Sequence, residues 1–315
     1  MSRPFSSRLP LSRSQIDRDH LARSGGVESV LADPAARAIV LNGQKALLAG
    51  PDVLAVLPAA SVDHRDALYL GRSLTDADDL PVGAPVLALL VDDAQAAALS
   101  GPAPAADAWG DLRRLGHRFS TRDAGLFTQA LALANWHAAY GFSPRSGAAT
   151  LPSASGWTRI DPDGREVFPR TDAAVIVGIT DADDRLLLGS NAMWEANRFS
   201  LLAGFVEPGE SLEAAVIREV FEESGLVVAD PVYLGSQPWP FPASLMVGFC
   251  AHVPAEHPTV GTPDGEEIIA LRWFTREKLN TAAASGEVIL PGPTSIARAI
   301  IEDWYGDEID DGSRA

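Results

Sequence analysis

The pattern of apolar positions changes character at Asp172. Upstream, between about 37 and 105, short apolar runs alternate with turn residues: AIVLN from Ala38, KALLAG from Lys45, VLAVLPA from Val53, ALYLG from Ala67 and PVLALLV from Pro85. Runs of this length, rich in Val, Leu and Ala, predict short strands. The segment 121–140, TRDAGLFTQALALANWHAAY, carries an Ala/Leu face and predicts a helix. Residues 1–30 are polar and irregular, and 141–171, rich in Ser, Gly, Pro and Arg, read as a linker or small irregular module.

Downstream, AAVIVGIT, a turn at Asp181 to Asp184 and RLLLGS predict a hairpin over 173–189. FSLLAGF, VYLGSQ, SLMVGFCAHV and IALRWFT predict further strands. SLEAAVIREVFEES, 211–224, predicts a helix with Ser211 as its cap and Gly225 at its C′ position. SIARAIIEDWYG places Ile296, Ile300 and Trp304 on one stripe of a second amphipathic helix, ending at Gly306, and the acidic tail 307–315 is expected to fray. The whole predicts a mixed α+β chain.

Composition narrows the function. At roughly 150 residues per domain, 315 residues predict about two domains. A hydrophobic content of 46% excludes global disorder. The net charge of −17 repels phosphate backbones at long range, which disfavours a generic nucleic-acid coat protein but leaves room for a focused site that holds phosphates through a metal. With Cys250 alone there is no internal disulfide and no cysteine-based zinc site, and the six histidines show no HExxH spacing. No apolar run reaches the length of a membrane span. Asp17 and Asp19 argue against reading the Arg- and Ser-containing N-terminus as a transit peptide, so a cytoplasmic protein is expected.

The sharpest chemical feature is the charge pattern of helix 211–224. Glu219, Glu222 and Glu223 stand at i, i+3 and i+4, on one helical face. Each like-charge pair costs a few tenths of a kcal/mol in an exposed helix, and all three lie toward the end where the helix dipole disfavours negative charge. A solvated acidic face is the plain alternative. A hard divalent cation, Mg²⁺ or Mn²⁺, resolves the conflict.

The surroundings decide between them. Gly204 is followed after five residues by Glu210, and after seven more by Arg218-Glu219-Val220, Phe221, Glu222-Glu223, Ser224 and Gly225-Leu226. The stretch GFVEPGESLEAAVIREVFEESGL resembles the Nudix box of the Nudix hydrolases at every defining position. Ten residues on, SQPWPFPAS, from Ser236 through Gln237, Pro238, Trp239, Pro240, Phe241, Pro242 and Ala243 to Ser244, resembles the motif of the NADH pyrophosphatase branch. Three prolines in five residues make a stiff loop that presents Trp239 and Phe241 rigidly to a planar ring.

The resemblance implies an α/β/α Nudix sandwich, preceded by a β-rich N-terminal domain and a degenerate zinc-ribbon-like module. The expected bounds are 1–135, 136–170 and 171–315. It implies metal-dependent hydrolysis of the pyrophosphate bond of NADH, and of NAD⁺, to nicotinamide mononucleotide and AMP. Removal of an NAD cap from RNA 5′ ends uses the same bond and is the alternative; a non-catalytic module sensing NAD or ADP-ribose is a third reading, against which the full set of box carboxylates stands.

The implied ligands to Mg²⁺ or Mn²⁺ are Glu219, Glu223 and the carbonyl of Ala203. Glu222 is either a further ligand or the group that orients water. Glu267, six residues before Trp273, matches an additional ligand of the branch, with Glu266 adjacent. Gly204, Glu210, Arg218 and Gly225 hold the box together. Phe205 and Phe168 match ring-contacting positions, and Ala297 a backbone contact. The branch carries four zinc cysteines where this chain has Ser143, Ser146, Asp161 and Gly164, so no zinc is expected. A homodimer is implied, with apolar packing doing what the metal would.

Overall fold

The computed structural model describes residues 4–61, 67–100 and 108–313. Arg3, His64, the 101–105 end of the upstream apolar stretch and the last two tail residues lie outside the described residues. The chain gathers into two compact units: Met1–Ser12 with Asp172–Pro238 and Ser244–Ala315, and Arg13–Thr171 with Trp239–Ala243.

The first unit is built on a sheet in which Ala229–Trp239, Ser244–His252, Asp172–Thr180, Leu186–Asn191 and Ile268–Phe274 are neighbours in that order. Ser244–His252 runs parallel to Asp172–Thr180, from Asp172↔Ser244 to Thr180↔His252. The predicted hairpin forms, but its strands pair only at Thr180↔Leu186. The opposite end of Asp172–Thr180 is taken by Leu202–Phe205, which sets Val175 against Gly204 and Ile176 against Ala203.

Alternation along Asp172–Thr180 sorts the two faces. Val175, Val177 and Ile179 pack with Ala215, Val216 and Val220 of the acidic helix Leu212–Ser224. Ile176 packs with Ile296, Ile300 and Ile301 of the C-terminal helix Ile296–Tyr305. The result is the α/β/α sandwich expected, in a mixed α+β chain. The predicted caps are in place: Ser211 accepts from Ala214 N–H, and Gly225 takes φ 68°.

Two features of this unit depart from expectation. Leu9, in a stretch read as irregular, is fully buried in the core under the C-terminal helix, and Leu11 N–H donates to Gln237 Oε1 at 3.3 Å. The acidic tail does not fray at once after Gly306. Ile309 is buried, and Asp311 accepts from the buried Arg298 at 2.6 Å. Arg298 also donates to Glu302 at 2.8 Å and to the carbonyls of Pro291 and Ile309. A buried guanidinium must be fully partnered, and the tail supplies two of its four acceptors.

The second unit carries the predicted strands as Arg37–Asn42, Lys45–Gly50, Ala67–Ser73 and Pro85–Leu90, with shorter pieces completing an eight-stranded sheet. Helix Thr121–Ala139, capped by Ser120, matches the predicted one. The 141–171 stretch is more ordered than its composition suggests. Leu151–Ser153, Thr158–Ile160 and Glu166–Val167 form a three-stranded sheet.

Candidate active site

The site in the first unit grows from the contact between Leu202–Phe205 and the acidic helix. Val216 and Val220 seat that helix on the sheet, which turns Glu219 and Glu223, one turn apart, toward the strand. A Cβ at residue 204 would fall inside the Glu219 carboxylate, so this approach exists only because residue 204 is glycine.

Arg218 organises the rest. Its Nε and Nη2 donate to the two oxygens of Glu210 at 3.1 and 2.6 Å, a bidentate pair. Nη2 also donates to the Phe205 carbonyl at 2.9 Å, and Glu210 Oε1 accepts Glu207 N–H at 2.7 Å. The loop 205–210 is thereby fastened to the helix. Nη1 lies between Glu219 Oε1 and Glu222 Oε2, 2.9 Å from each. Glu210 is held below its ordinary value by the Arg218 guanidinium, with the Glu207 amide adding to the effect.

Glu223 has no such relief. It is 5% exposed, and its Oε2 is buried with no hydrogen-bond partner. Burial pushes its carboxyl up to about 8, aided by the charges of Glu267, Glu219 and Asp264 and opposed by the Ala203 backbone amide. Burial also raises Glu219, against the pull of Arg218. Glu267 is exposed; Asn191 Nδ2 donates to its Oε1 at 3.2 Å. The loop that carries it is shaped by Asp264, whose Oδ1 accepts the amides of Glu266, Glu267 and Ile268 at 2.7, 2.9 and 3.0 Å.

Among the described residues no three His, Cys, Asp or Glu side chains are already gathered as a metal cage. Arg218 accounts for much of this, because its Nη1 occupies the space between Glu219 and Glu222. The donor set nevertheless fits a hard divalent cation. Its donors are hard carboxylate oxygens, one of them is buried and orphaned, and Glu267, Glu219 and Asp264 add like charge around it.

The other predicted residues fall in several places. Phe205 is 59% exposed beside the box. Ser244 opens its strand opposite Asp172. Gln237 is fully buried, its amide donating to the Thr294 carbonyl at 3.0 Å and accepting from Leu11 N–H. Ala297 is buried, with its amide engaged by the Ser295 cap at 3.1 Å. Pro238 closes the first unit's segment, and Trp239, Pro240, Phe241, Pro242 and Ala243 count with the second unit. There Trp239 and Phe241 meet edge to face, centroids 4.9 Å apart, and the Arg113 guanidinium lies 4.5 Å from the Phe241 ring centre. Asn135 Nδ2 holds the loop through the carbonyls of Pro240 and Pro242 at 2.8 and 3.2 Å. Phe168, 65% exposed, also belongs to the second unit.

Sequence reading missed Asp264, Asn191, Arg113 and Asn135. The Asp264-Gly265 turn signature could have pointed to the first. The other three lie far along the chain from what they touch.

The NUDIX domain family matches residues 169–291, and the NADH pyrophosphatase-like rudimentary NUDIX domain matches 35–136. The NAD-capped RNA hydrolase NudC of Mycobacterium bovis (strain BCG / Pasteur 1173P2) is 40% identical over 320 residues, covering 96% of this chain and 94% of that protein. Its counterpart in Mycobacterium tuberculosis (strain ATCC 25618 / H37Rv) is 39% identical over the same spans. The human NAD-capped RNA hydrolase NUDT12 is 37% identical over 196 residues, 58% of this chain and 42% of that protein. The chain belongs to the Nudix hydrolase family, in its NADH pyrophosphatase branch, without that branch's zinc cysteines. It is a hydrolase of phosphoric anhydrides. Among the described residues no helix is long and apolar enough to cross a membrane.

Proposed function

We propose that this protein hydrolyses the pyrophosphate bond of an NAD moiety, with NAD-capped RNA 5′ ends as the leading substrate and free NADH or NAD⁺ cut by the same chemistry. The observation that carries the reading is the buried Glu223 carboxylate, one oxygen without a partner, in the field of Glu219, Glu267 and Asp264. Arg218 pairs with Glu210, Glu219 and Glu222, whereas Glu223 has no ion pair among the described residues. The sequence alone ranks NADH first. The relatives that match nearly the whole chain carry the name NAD-capped RNA hydrolase, which moves capped RNA ahead.

In this reading Glu219, Glu223, Glu267 and the Ala203 carbonyl hold Mg²⁺ or Mn²⁺, and Glu222 either joins them or orients the attacking water. Bound divalent ions neutralise phosphate oxygens and acidify water. Arg218 keeps the box loop seated while the carboxylates are re-partnered. Phe205, exposed beside the box, offers a ring face to a planar group. Water adds to one phosphorus, the bridging P–O bond breaks, and nicotinamide mononucleotide leaves 5′-monophosphorylated RNA, or AMP when the substrate is free. The active form is a homodimer without zinc.

The test is chromatography of a short NAD-capped oligoribonucleotide and of NADH, each with Mn²⁺ and with chelator. Metal-dependent release of nicotinamide mononucleotide from the oligonucleotide is expected. Its absence, with NADH still cut, returns the chain to the free dinucleotide; no release from either substrate removes the enzymatic reading.

A further inference from the structure

Strand Ile268–Phe274 carries one residue more than its neighbour can match. Leu186–Asn191 pairs with it in order through Gly189↔Leu271 and Ser190↔Ala270, and then Asn191 faces Ile268. Ile269 is left without a counterpart and lies exposed. A bulge of this kind bends its strand and re-aims the neighbouring side chains. Here the slip draws Glu267 one position back along the partner strand, so that Ala192 N–H donates to its carbonyl at 2.8 Å. Asp264 Oδ1 holds its amide at 2.9 Å. Asn191 holds its side chain, Nδ2 donating to Oε1 at 3.2 Å. The other end of the Asn191 amide sets that direction. Its Oδ1 accepts Met193 N–H at 2.9 Å, and Trp194 N–H closes the turn on the Asn191 carbonyl at 3.1 Å. With the oxygen committed to a backbone donor, the NH₂ group is the end that faces Glu267.

That donor is neutral, and the difference matters. Glu210 is met by the Arg218 guanidinium, which balances its charge inside the protein. An amide orients a carboxylate and leaves its charge in place. The bond takes Oε1 of Glu267, and among the described residues Oε2 accepts none. Glu266, one residue earlier, is tied among the described residues only through its amide, which donates to Asp264 Oδ1 at 2.7 Å. The charge of Glu267 bears on both Glu219 and Glu223, and all three belong to the same compact unit. Glu267 is thus oriented, still charged and open at one oxygen, which is what a carboxylate ligand needs from the residue that supports it.

We infer that Asn191 is a positioning residue: it presents Glu267, rather than the adjacent Glu266, to the divalent cation, and it acts on cation affinity through Glu267 alone. The inference rests on the metal-dependent reading above and adds the residue that decides which of two neighbouring glutamates serves it. Hydrogen-bonded supports of a metal ligand contribute about 10- to 100-fold to affinity. A single neutral bond of 3.2 Å to an exposed carboxylate belongs at the lower end of that range.

The experiment titrates Mn²⁺ into the metal-free full-length protein and reads the unbound ion by electron paramagnetic resonance, with thermal melts to confirm that each variant is folded. It compares wild type, Asn191→Ser, Asn191→Ala, Glu266→Gln, Glu267→Gln, and Glu267→Gln combined with Asn191→Ser. Serine keeps an oxygen for Met193 N–H and is too short to reach Glu267, so it removes the donor and spares the turn; alanine removes both. Asn191→Ser is expected to weaken Mn²⁺ binding about tenfold and Asn191→Ala at least as much. Glu267→Gln should weaken it further, and Glu266→Gln should bind as wild type does. In the Glu267→Gln background Asn191→Ser should change affinity by less than about twofold, because its effect runs through the carboxylate already removed. An undiminished effect in that background overturns the inference, and so does weak binding by Glu266→Gln with normal binding by Glu267→Gln. Wild-type affinity in Asn191→Ser beside weak binding in Glu267→Gln also overturns it, while leaving the metal reading intact. A wild type that binds no Mn²⁺ removes the metal-dependent reading itself, and the role of Asn191 with it.

Discussion

The carboxylate of Glu219 lies against the bare Cα of Gly204, in the space a side chain at 204 would fill. The strand and the acidic helix can therefore come together with the carboxylate between them. Arg218 Nη1 also donates to the same carboxylate, at 2.9 Å. Glu219 is thus fixed by one missing side chain and one neighbouring cation.

Gly204→Ala puts a methyl group where the carboxylate lies. The fold should survive, because either the helix shifts slightly or Glu219 rotates away. Turnover should fall by on the order of 10²-fold, as expected when a positioned group is displaced by about 1 Å. Steady-state kinetics beside circular dichroism would check this; near-normal kcat in a folded variant would show that the placement of Glu219 is unimportant.

Glu223 makes the metal-free protein pH-sensitive. Its carboxyl is raised from 4.5 to about 8 in the folded state, by burial first and then by Glu267, Glu219 and Asp264. The folded chain therefore holds a proton that the unfolded chain has lost, and stability falls as pH rises between those values. Thermal melts in chelator should drop from pH 6 to pH 8.5. Glu223→Gln should remove on the order of 1–3 kcal/mol of that loss while abolishing turnover. Parallel pH profiles for the two proteins would contradict the assignment.

Asp311 should matter out of proportion to its place near the chain end. Its carboxylate lies 2.6 Å from Arg298, whose side chain is 1% exposed. Asp311→Asn leaves a buried cation short of one counter-charge. Urea denaturation should show a loss of about 2–4 kcal/mol. A change below about 0.5 kcal/mol would place the tail outside the cooperative unit.

Asn135 should act on the aromatic loop. It grips the carbonyls of Pro240 and Pro242, and its own Oδ1 accepts from Gln44 at 2.6 Å. Asn135→Ala removes these bonds at a cost of about 1 kcal/mol to the fold. If Trp239 and Phe241 receive the rings of the substrate, KM should rise about threefold or more with kcat little changed. A fall in kcat at constant KM would speak against a binding role for the loop.

The helix Leu212–Ser224 was legible from one cap serine, one C′ glycine and the valines between them. The box spacing likewise marked the acidic face, because helical geometry turns i, i+3 and i+4 into neighbours. Helix Arg276–Ala284 escaped notice, since only Leu279, Ala282 and Ala283 of its nine residues are buried. Leu9 and Asp311 escaped for a different reason. Each is bound to partners more than ten residues away, and nothing in its own neighbourhood announces them. The isolation of Glu223 belongs to the same class: the sequence shows three glutamates on one helical face, but which one is buried depends on how Val216 and Val220 seat the helix on the sheet.

Leu9 fills the core closed by the C-terminal helix, although it is synthesised at the other end of the chain. Its neighbours Ile296, Ile300 and Ile301 leave the ribosome nearly three hundred residues later. That core therefore closes only when Leu9 and the C-terminal helix are both present, a pairing across nearly three hundred residues, and contacts of such sequence separation form slowly.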